Sequence, residues 1–136
     1  MKLTAITFFC ISLLGCVSSG NLSNDFTLNQ EPKTLYVSKY YSGYEERHLG
    51  EIMRLFEKHG FAITREKENS NYSLDYSIDA GATLTVEIAL LKNNKSILDV
   101  SATNVWMGTV MFRPVAVKNR ISAALSELDE LLTEKM

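Results

Sequence analysis

Three segments in the middle of the chain alternate between apolar and polar residues, a period that predicts β-strands with one buried face. Their apolar members are the even-numbered residues of 72–78, 84–90 and 98–102. The odd-numbered positions between them carry mostly Ser, Thr, Asp and Glu. Since only one face of each strand is apolar, we expect an antiparallel meander that is covered on one side only.

The alternation also predicts how the first two of these strands pair, because apolar residues on neighbouring strands must share a face. A three-residue loop at 80–82 meets this condition, and loops of this length are common in hairpins. This loop pairs Tyr76 with Val86 and places Asp75 opposite Glu87 on the polar face. The sequence therefore predicts two carboxylates that face each other directly.

The second hairpin is constrained by the same rule. A two-residue turn at 93–94 would place Ile88 opposite Asp99 and so mix apolar and polar residues on one face. A three-residue loop at 93–95 instead pairs Ile88 with Val100. We therefore expect the longer loop, with Asp99 on the polar face.

Apolar residues at helical spacing predict one amphipathic helix before the meander and one after it. The first helix follows a capping box, in which Glu45 lies three residues after Ser42, and it ends at Gly60. The second helix begins beside Pro114 and carries a long apolar stripe over 117–132. Each helix thus has one face that must be buried against another element.

Two further short strands are expected at 34–40 and 61–65, on either side of the first helix. The order of the elements is then β-α-β-β-β-β-α. This order predicts an α+β fold, a two-layer sandwich with a mostly antiparallel sheet. Both helices are expected to lie side by side on its apolar face.

The N-terminus resembles the signal peptide of bacterial lipoproteins. Lys2 precedes an uncharged, mostly apolar stretch of about 12 residues at 3–14, which is shorter than the roughly 20 needed to span a membrane. The stretch leads into Leu13-Leu14-Gly15-Cys16, which is similar to a lipobox. The resemblance implies that the Cys16 thiol receives a diacylglycerol and that residues 1–15 are removed as a signal peptide.

This resemblance divides the chain into three expected parts. Residues 1–15 form the signal peptide, residues 16–33 form the lipidated Cys16 and a flexible tether, and residues 34–136 form a single α+β domain. The tether is expected because its polar sequence, rich in Ser and Asn, has no sustained period. In lipoproteins of enteric-type bacteria, an Asp after the cysteine resembles a signal for retention in the inner membrane. Val17 occupies that position here, so the resemblance favours the outer membrane. We therefore expect a lipid-anchored protein of the bacterial cell envelope that faces the periplasm.

The expected domain also resembles small accessory lipoproteins of the bacterial envelope, among them the lipopolysaccharide-assembly lipoprotein. The residues that carry the resemblance are Gly60-Phe61-Ala62-Ile63-Thr64, Ser70-Asn71-Tyr72-Ser73-Leu74 and the hairpin around Asn93-Asn94. The Ala-Asp pair of that family is Ser70-Asn71 here. The resemblance implies this fold and a role in binding or positioning another envelope component.

Composition narrows the chemistry. The 136 residues are 46% hydrophobic with a formal net charge of −2, and a nucleic-acid-binding protein would need a basic surface. His48 and His59 lie eleven residues apart on the first helix, about 16 Å of helical rise, so they cannot share a metal ion. The sequence contains no Gly-rich phosphate loop, no paired-Cys motif and no Gly-x-Ser-x-Gly turn. We expect no catalytic residue, no metal site, no cofactor and no nucleic-acid partner.

Two groups of residues remain as candidates for binding a protein partner. The first is acidic and lies on the polar sheet face; the second is aromatic and surrounds the first strand. Their members are Asp75, Glu87 and Asp99, and Tyr36, Tyr40, Tyr41 and Tyr44. The alternative interpretation is a solvated face that keeps the protein soluble, with tyrosines that fill the core or shield the sheet edge.

The sequence thus favours a non-catalytic, membrane-anchored lipoprotein that binds or positions another component of the cell envelope. The alternative function is a periplasmic inhibitor or immunity-type lipoprotein that neutralises a toxin or hydrolase. Both functions predict a lipid anchor at Cys16 and a protein partner. A partner recovered by crosslinking in intact cells would distinguish them.

Overall fold

A computed structural model of the chain describes residues 17–23, 32–105 and 113–135. The described residues form six strands and two helices, with one 3₁₀ turn at Lys67–Asn69. The strands are β1 Val17–Leu22, β2 Thr34–Tyr36, β3 Ala62–Thr64, β4 Tyr72–Ala80, β5 Thr83–Lys92 and β6 Lys95–Val105. The helices are α1 Gly43–Lys58 and α2 Arg113–Glu134.

The six strands form one mixed sheet in the order β1-β6-β5-β4-β2-β3. Strands β4, β5 and β6 form the antiparallel meander, and β1 pairs antiparallel with β6. Strand β2 lies parallel to both β3 and β4. Helix α2 packs on β1, β5 and β6, while α1 packs on β3 and β4 and contacts α2. The predicted α+β sandwich is confirmed.

The core lies between the sheet and the helices. The even-numbered residues of the meander, such as Ile88, are buried there as the alternation predicts. Helix α1 contributes Ile52 and Phe56, both fully buried. Helix α2 contributes a buried stripe that includes Leu128, whereas Leu125 is only half-buried at its edge. This one apolar layer stabilises the domain mainly through the burial of aliphatic and aromatic surface.

The C-terminal end of α1 matches its prediction. Gly60 has φ +82°, its N–H donates to the Glu57 carbonyl, and the Phe61 N–H donates to the Phe56 carbonyl. These two bonds define a Schellman motif, and the Phe61 ring packs edge-on against Phe56 at 5.2 Å. The helix therefore ends where a left-handed residue turns the chain back onto the core.

The capping box predicted at the start of α1 is wrong. Ser42 occupies the N-cap position with extended backbone, but its side chain makes no capping hydrogen bond. Glu45 instead accepts a hydrogen bond from the Ile78 N–H at 3.3 Å. Strand β2 covers only the start of β4, at Tyr72 and Ser73. The Ile78 N–H lies on the uncovered part of that edge and therefore needs another acceptor. A tertiary contact thus replaces the local one.

The expectation of a tether over 16–33 is wrong for residues 17–22, because these form the edge strand β1. Six residue pairs join it to β6, among them Ser19 with Ser101. Gly20 permits this docking, since a Cβ there would lie 2.6 Å from the Leu131 Cδ1 of α2. The segment is polar and lacks a period, so its sequence carries no strand signal.

The predicted pairing of β4 with β5 is displaced by two residues. Tyr76 faces Ile88 rather than Val86, and Ala80 faces Leu84. The displacement arises because β4 continues through Ala80, which pairs with Leu84, so only residues 81 and 82 connect β4 to β5. Both registers keep the apolar residues on one face, and alternation alone cannot choose between registers that differ by two.

The pairing of Ile88 with Val100 is confirmed, but the turn that leads to it differs from the prediction. Lys92 pairs with Lys95 around a two-residue turn, in which Asn93 and Asn94 have φ +52° and +59°. These angles are typical of a type I′ turn. A β-bulge next to Leu90 and Leu91 then restores the register that the apolar pattern requires.

Candidate binding face of the sheet

The sheet surface opposite the helices is the candidate site. It carries the odd-numbered side chains of β1, β4, β5 and β6, which alternate with the buried core residues. Asp75, Glu87 and Asp99 are exposed on this surface, as the sequence predicts. No described helix or strand packs over it. We call this surface the open face.

The corrected register changes which side chains meet on the open face. Asp75 and Asp99 both pair with Ala89, from opposite sides, and Asp99 also pairs with Asn21 of β1. Since neighbouring strands lie about 4.8 Å apart, the two aspartates are separated by roughly 10 Å across the alanine. The predicted contact between Asp75 and Glu87 is therefore wrong, and like-charge repulsion between them is weaker than expected.

Glu87 lies in the next row of side chains along the strands. It pairs with Ser77 on one side and Ser101 on the other, and Ser101 pairs with Ser19. The Ser77 hydroxyl donates to Glu87 Oε2 over 3.4 Å, a long and weak hydrogen bond. The sequence predicted that Glu87 faces the like-charged Asp75, whereas in the structure its cross-strand neighbours are Ser77 and Ser101.

The two rows enclose a shallow depression of about 270 Å³. Its floor is low because small residues, Ala89, Ser77 and Ser101, occupy the middle of the sheet. Asp75, Glu87 and Asp99 stand around it, with Ser19 and Asn21 at the β1 side. The depression thus presents three carboxylates beside hydroxyl and amide groups, and none of the described residues that line it is Lys or Arg.

The chemistry of the open face suits the binding of a cationic partner. Ionised carboxylates only accept hydrogen bonds, so the surface suits a partner that brings positive charge or several donors. The histidines are elsewhere: His48 contacts Glu51 on α1, and His59 contacts Asp129 on α2. Across the described residues, no three His, Cys, Asp or Glu side chains stand close enough to hold a metal ion.

The four tyrosines occupy different environments. Tyr40 is the exposed member, with 82% of its surface accessible, and Lys39 Nζ lies 5.7 Å from its ring. Tyr36 alternates with the buried Leu35 and is half-buried on the side of the open face. Tyr44 packs against the core at the start of α1. The four residues therefore do not form one uniform patch.

Tyr41 connects the tyrosines to the sheet. Its hydroxyl donates to the Leu74 carbonyl at the free edge of β4, and its ring lies 5.5 Å from that of Tyr76. Burial, with a smaller contribution from the Asp75 carboxylate, raises the pKa of Tyr41 to about 12. Tyr41 therefore acts as a neutral donor that covers a strand edge, which is the shielding alternative considered from the sequence.

Ser19 and Asn21 are the site residues that sequence reasoning missed. They reach the open face only because β1 pairs with β6, and they lie in a segment expected to be a tether. Cys16 and the rest of the signal-peptide motif lie outside the described residues. Within the described part of the chain, no helix is both long and apolar enough to cross a membrane.

No family model matches the chain, and no curated protein matches it in sequence. Among solved structures, it is similar to the PelC dodecamer from Paraburkholderia phytofirmans, with a TM-score of 0.46 and 14% identity over 85% of this chain and 98% of that chain. A variant PelC dodecamer from the same organism gives a TM-score of 0.44 and 15% identity at the same coverage. Similarity at this level assigns no activity to the chain.

Proposed function

We propose that the protein is a non-catalytic lipoprotein of the bacterial cell envelope that binds another envelope component through its open face. The lipobox-like sequence at Leu13-Leu14-Gly15-Cys16 supports the anchor and the location. The open face supports the binding role. The partner is a protein with a basic surface, because carboxylates on a flat sheet attract cationic side chains better than they enclose a metal ion.

One observation supports the binding role: none of the described helices or strands covers a four-stranded surface that carries three exposed carboxylates. Asp75 and Asp99 lie roughly 10 Å apart on either side of Ala89 and, as like charges, do not stabilise each other, so they contribute little to the fold. A basic partner would neutralise Asp75, Glu87 and Asp99 together. Charge complementarity of this kind accelerates association and makes it sensitive to salt.

Crosslinking in intact cells tests which surface meets the partner. A photoreactive amino acid replaces Glu87 on the open face or Ser122, which is exposed on α2. We expect a discrete adduct from position 87 and none from position 122. Adducts from position 122 alone would show that the helical side carries the interaction.

Charge neutralisation tests the chemistry of the contact. The double variant Asp75→Asn with Asp99→Asn removes two carboxylates from the open face, and Glu130→Gln with Glu134→Gln removes two exposed carboxylates from α2. In the first variant, less adduct should form from position 87, and capture of the partner should no longer depend on salt. The second variant should behave as the parent. Equal capture by both variants would reduce the open face to solvated surface.

The anchor is tested separately with Cys16→Ser. Loss of the thiol prevents diacylglycerol attachment, so the variant should stay unprocessed or become soluble. Intact mass and membrane fractionation measure this result directly. If Cys16→Ser still fractionates with membranes and its intact mass shows no loss of lipid relative to the parent protein, the lipoprotein assignment is contradicted.

A further inference from the structure

We propose that the end of the sheet formed by the β4–β5 loop rests against the surface of the lipid bilayer. This inference depends on the proposed lipidation of Cys16. It adds an orientation: the strands of the meander stand away from the membrane, and one identified loop contacts the lipid headgroups. The occupant of this surface is the bilayer itself.

The argument begins with the distance between the lipid and the sheet. Val17 is both the residue after Cys16 and the first residue of β1. Consecutive Cα atoms are about 3.8 Å apart, so no linker of useful length separates the lipidated residue from the sheet. A diacylglycerol on Cys16 would therefore hold the adjacent end of the sheet close to the headgroups.

Strand pairing identifies the residues at that end. Val17 pairs with Thr103, Thr103 is followed across the sheet by Thr85, and Thr85 pairs with Asp79. The exposed loop 81–82 between β4 and β5 lies one row further on, beyond the pair of Ala80 and Leu84. All of these residues are placed at the anchored end by backbone pairing.

The two ends of the sheet differ in charge. The loop 81–82 reads Gly-Ala and is uncharged, and the exposed Asp79 carboxylate beside it accepts the Gly81 N–H at 3.0 Å. The opposite hairpin has Lys92 and Lys95 on either side of its turn. At the anchored end only the loop itself is uncharged, because Asp79 is exposed beside it, so the position of Val17 rather than charge selects this end for contact with the bilayer.

Because β1 is attached to the domain, an anchor at Cys16 would also fix the orientation of the domain on the membrane. The ladder of six residue pairs with β6 and the close contact of Gly20 with α2 fix β1 to the domain. Strand β5 has ten residues and is roughly 30 Å long, so the far hairpin stands about that distance from the anchored end. Glu87, two residues beyond Thr85, would then lie roughly 7 Å from the anchored row of side chains.

Two single-cysteine variants test the orientation. Ala82→Cys places a thiol in the loop at the anchored end, and Lys95→Cys places one at the far hairpin; both parent residues are exposed. Cys10 leaves with the signal peptide and Cys16 is blocked by lipid, so each mature variant carries one reactive thiol. Each thiol receives an environment-sensitive fluorophore, and the full lipoprotein is reconstituted into vesicles that contain nitroxide-headgroup lipid.

We expect severalfold stronger quenching from position 82 than from position 95. Equal quenching in protein whose intact mass includes the lipid would overturn the orientation and leave the proposed anchor standing. Protein without the lipid mass would overturn the anchor and the orientation together. Gly20→Val, which displaces β1 from α2, should equalise the two positions without loss of lipid; a difference that persists would show that β1 does not set the orientation.

Discussion

The contact between the C-terminal end of α1 and the middle of α2 allows a sharp test of how the two helices are held together. The Asp129 carboxylate accepts a hydrogen bond from His59 Nε2 at 2.6 Å and two from Lys58 Nζ at 2.9 and 3.0 Å. The side chain of His59 is 6% exposed, whereas that of Lys58 is 63% exposed. The two partners of the Asp129 carboxylate therefore differ in burial, since His59 is buried and Lys58 is exposed.

The expected magnitudes follow from this difference. Lys58→Ala removes an exposed ion pair and should cost less than about 1 kcal/mol. Asp129→Ala removes the acceptor of a buried imidazole N–H, and a lost hydrogen bond to a charged group typically costs about 1.5–3 kcal/mol. Asp129→Ala should therefore destabilise the protein more than Lys58→Ala does, although Lys58 makes more hydrogen bonds to the carboxylate.

Urea unfolding measures both effects. With a slope of about 1–3 kcal/mol per molar, a loss of 2 kcal/mol moves the unfolding midpoint by about 1 M. Lys58→Ala should shift the midpoint by less than half of the shift seen for Asp129→Ala. Equal shifts would mean that the Coulombic contact with Lys58, rather than the buried bond to His59, holds the helices together.

The same contact predicts a pH dependence. Hydrogen bonds from Lys58, and then from His59, hold the pKa of Asp129 below its usual range. A lowered carboxyl pKa contributes stability above the usual value near 3.9, and that stability is lost as the pH falls through the folded-state value. Asp129→Asn should therefore reduce the acid sensitivity of unfolding between pH 5 and about pH 2, measured by urea unfolding at each pH.

Three further pairs of substitutions test the packing and the turns. Leu128→Ala should cost about 2–5 kcal/mol because Leu128 is fully buried, while the exposed Ser126→Ala should change stability by less than about 0.5 kcal/mol in the same urea assay. Gly60→Ala should lower the thermal midpoint because φ is +82°, whereas Gly50→Ala, in open space within α1, should raise it with a gain of about 0.5–1 kcal/mol. Asn94→Val should cost about 1–2 kcal/mol at φ +59°, and Asn94→Gly should be tolerated in calorimetry.

Sequence reasoning predicted the parts of the fold that depend on local period. The alternation of the meander and the glycine stop at Gly60 are properties of short segments, and both appear in the structure. It could not choose the β4–β5 register, since a shift of two residues leaves Tyr76 on the same face. The bulge beside Leu91 could not be predicted either, because the apolar pattern requires one extra residue between β5 and β6 but does not say whether it lies in the turn or in a bulge.

The candidate site was only partly predictable for the same reason. The exposure of Asp75, Glu87 and Asp99 follows from alternation, but their neighbours follow from register. Ser19 and Asn21 enter through a strand whose stability comes from backbone pairing with β6 rather than from apolar side chains. Such an edge strand depends on tertiary contacts and is not encoded by local preference.

Strand β1 connects the proposed anchor to the proposed binding face, so a variant without β1 tests both proposals. A chain that begins at residue 24 would leave the backbone groups of β6 without partners from Leu98 to Thr103. An unpaired edge of that length is a template for association with other chains. We therefore expect the truncated protein to self-associate in sedimentation experiments and to lose Ser19 and Asn21 from the open face. If the truncated protein is monomeric and binds its partner as well as the full-length protein does, residues 17–23 act only as a tether.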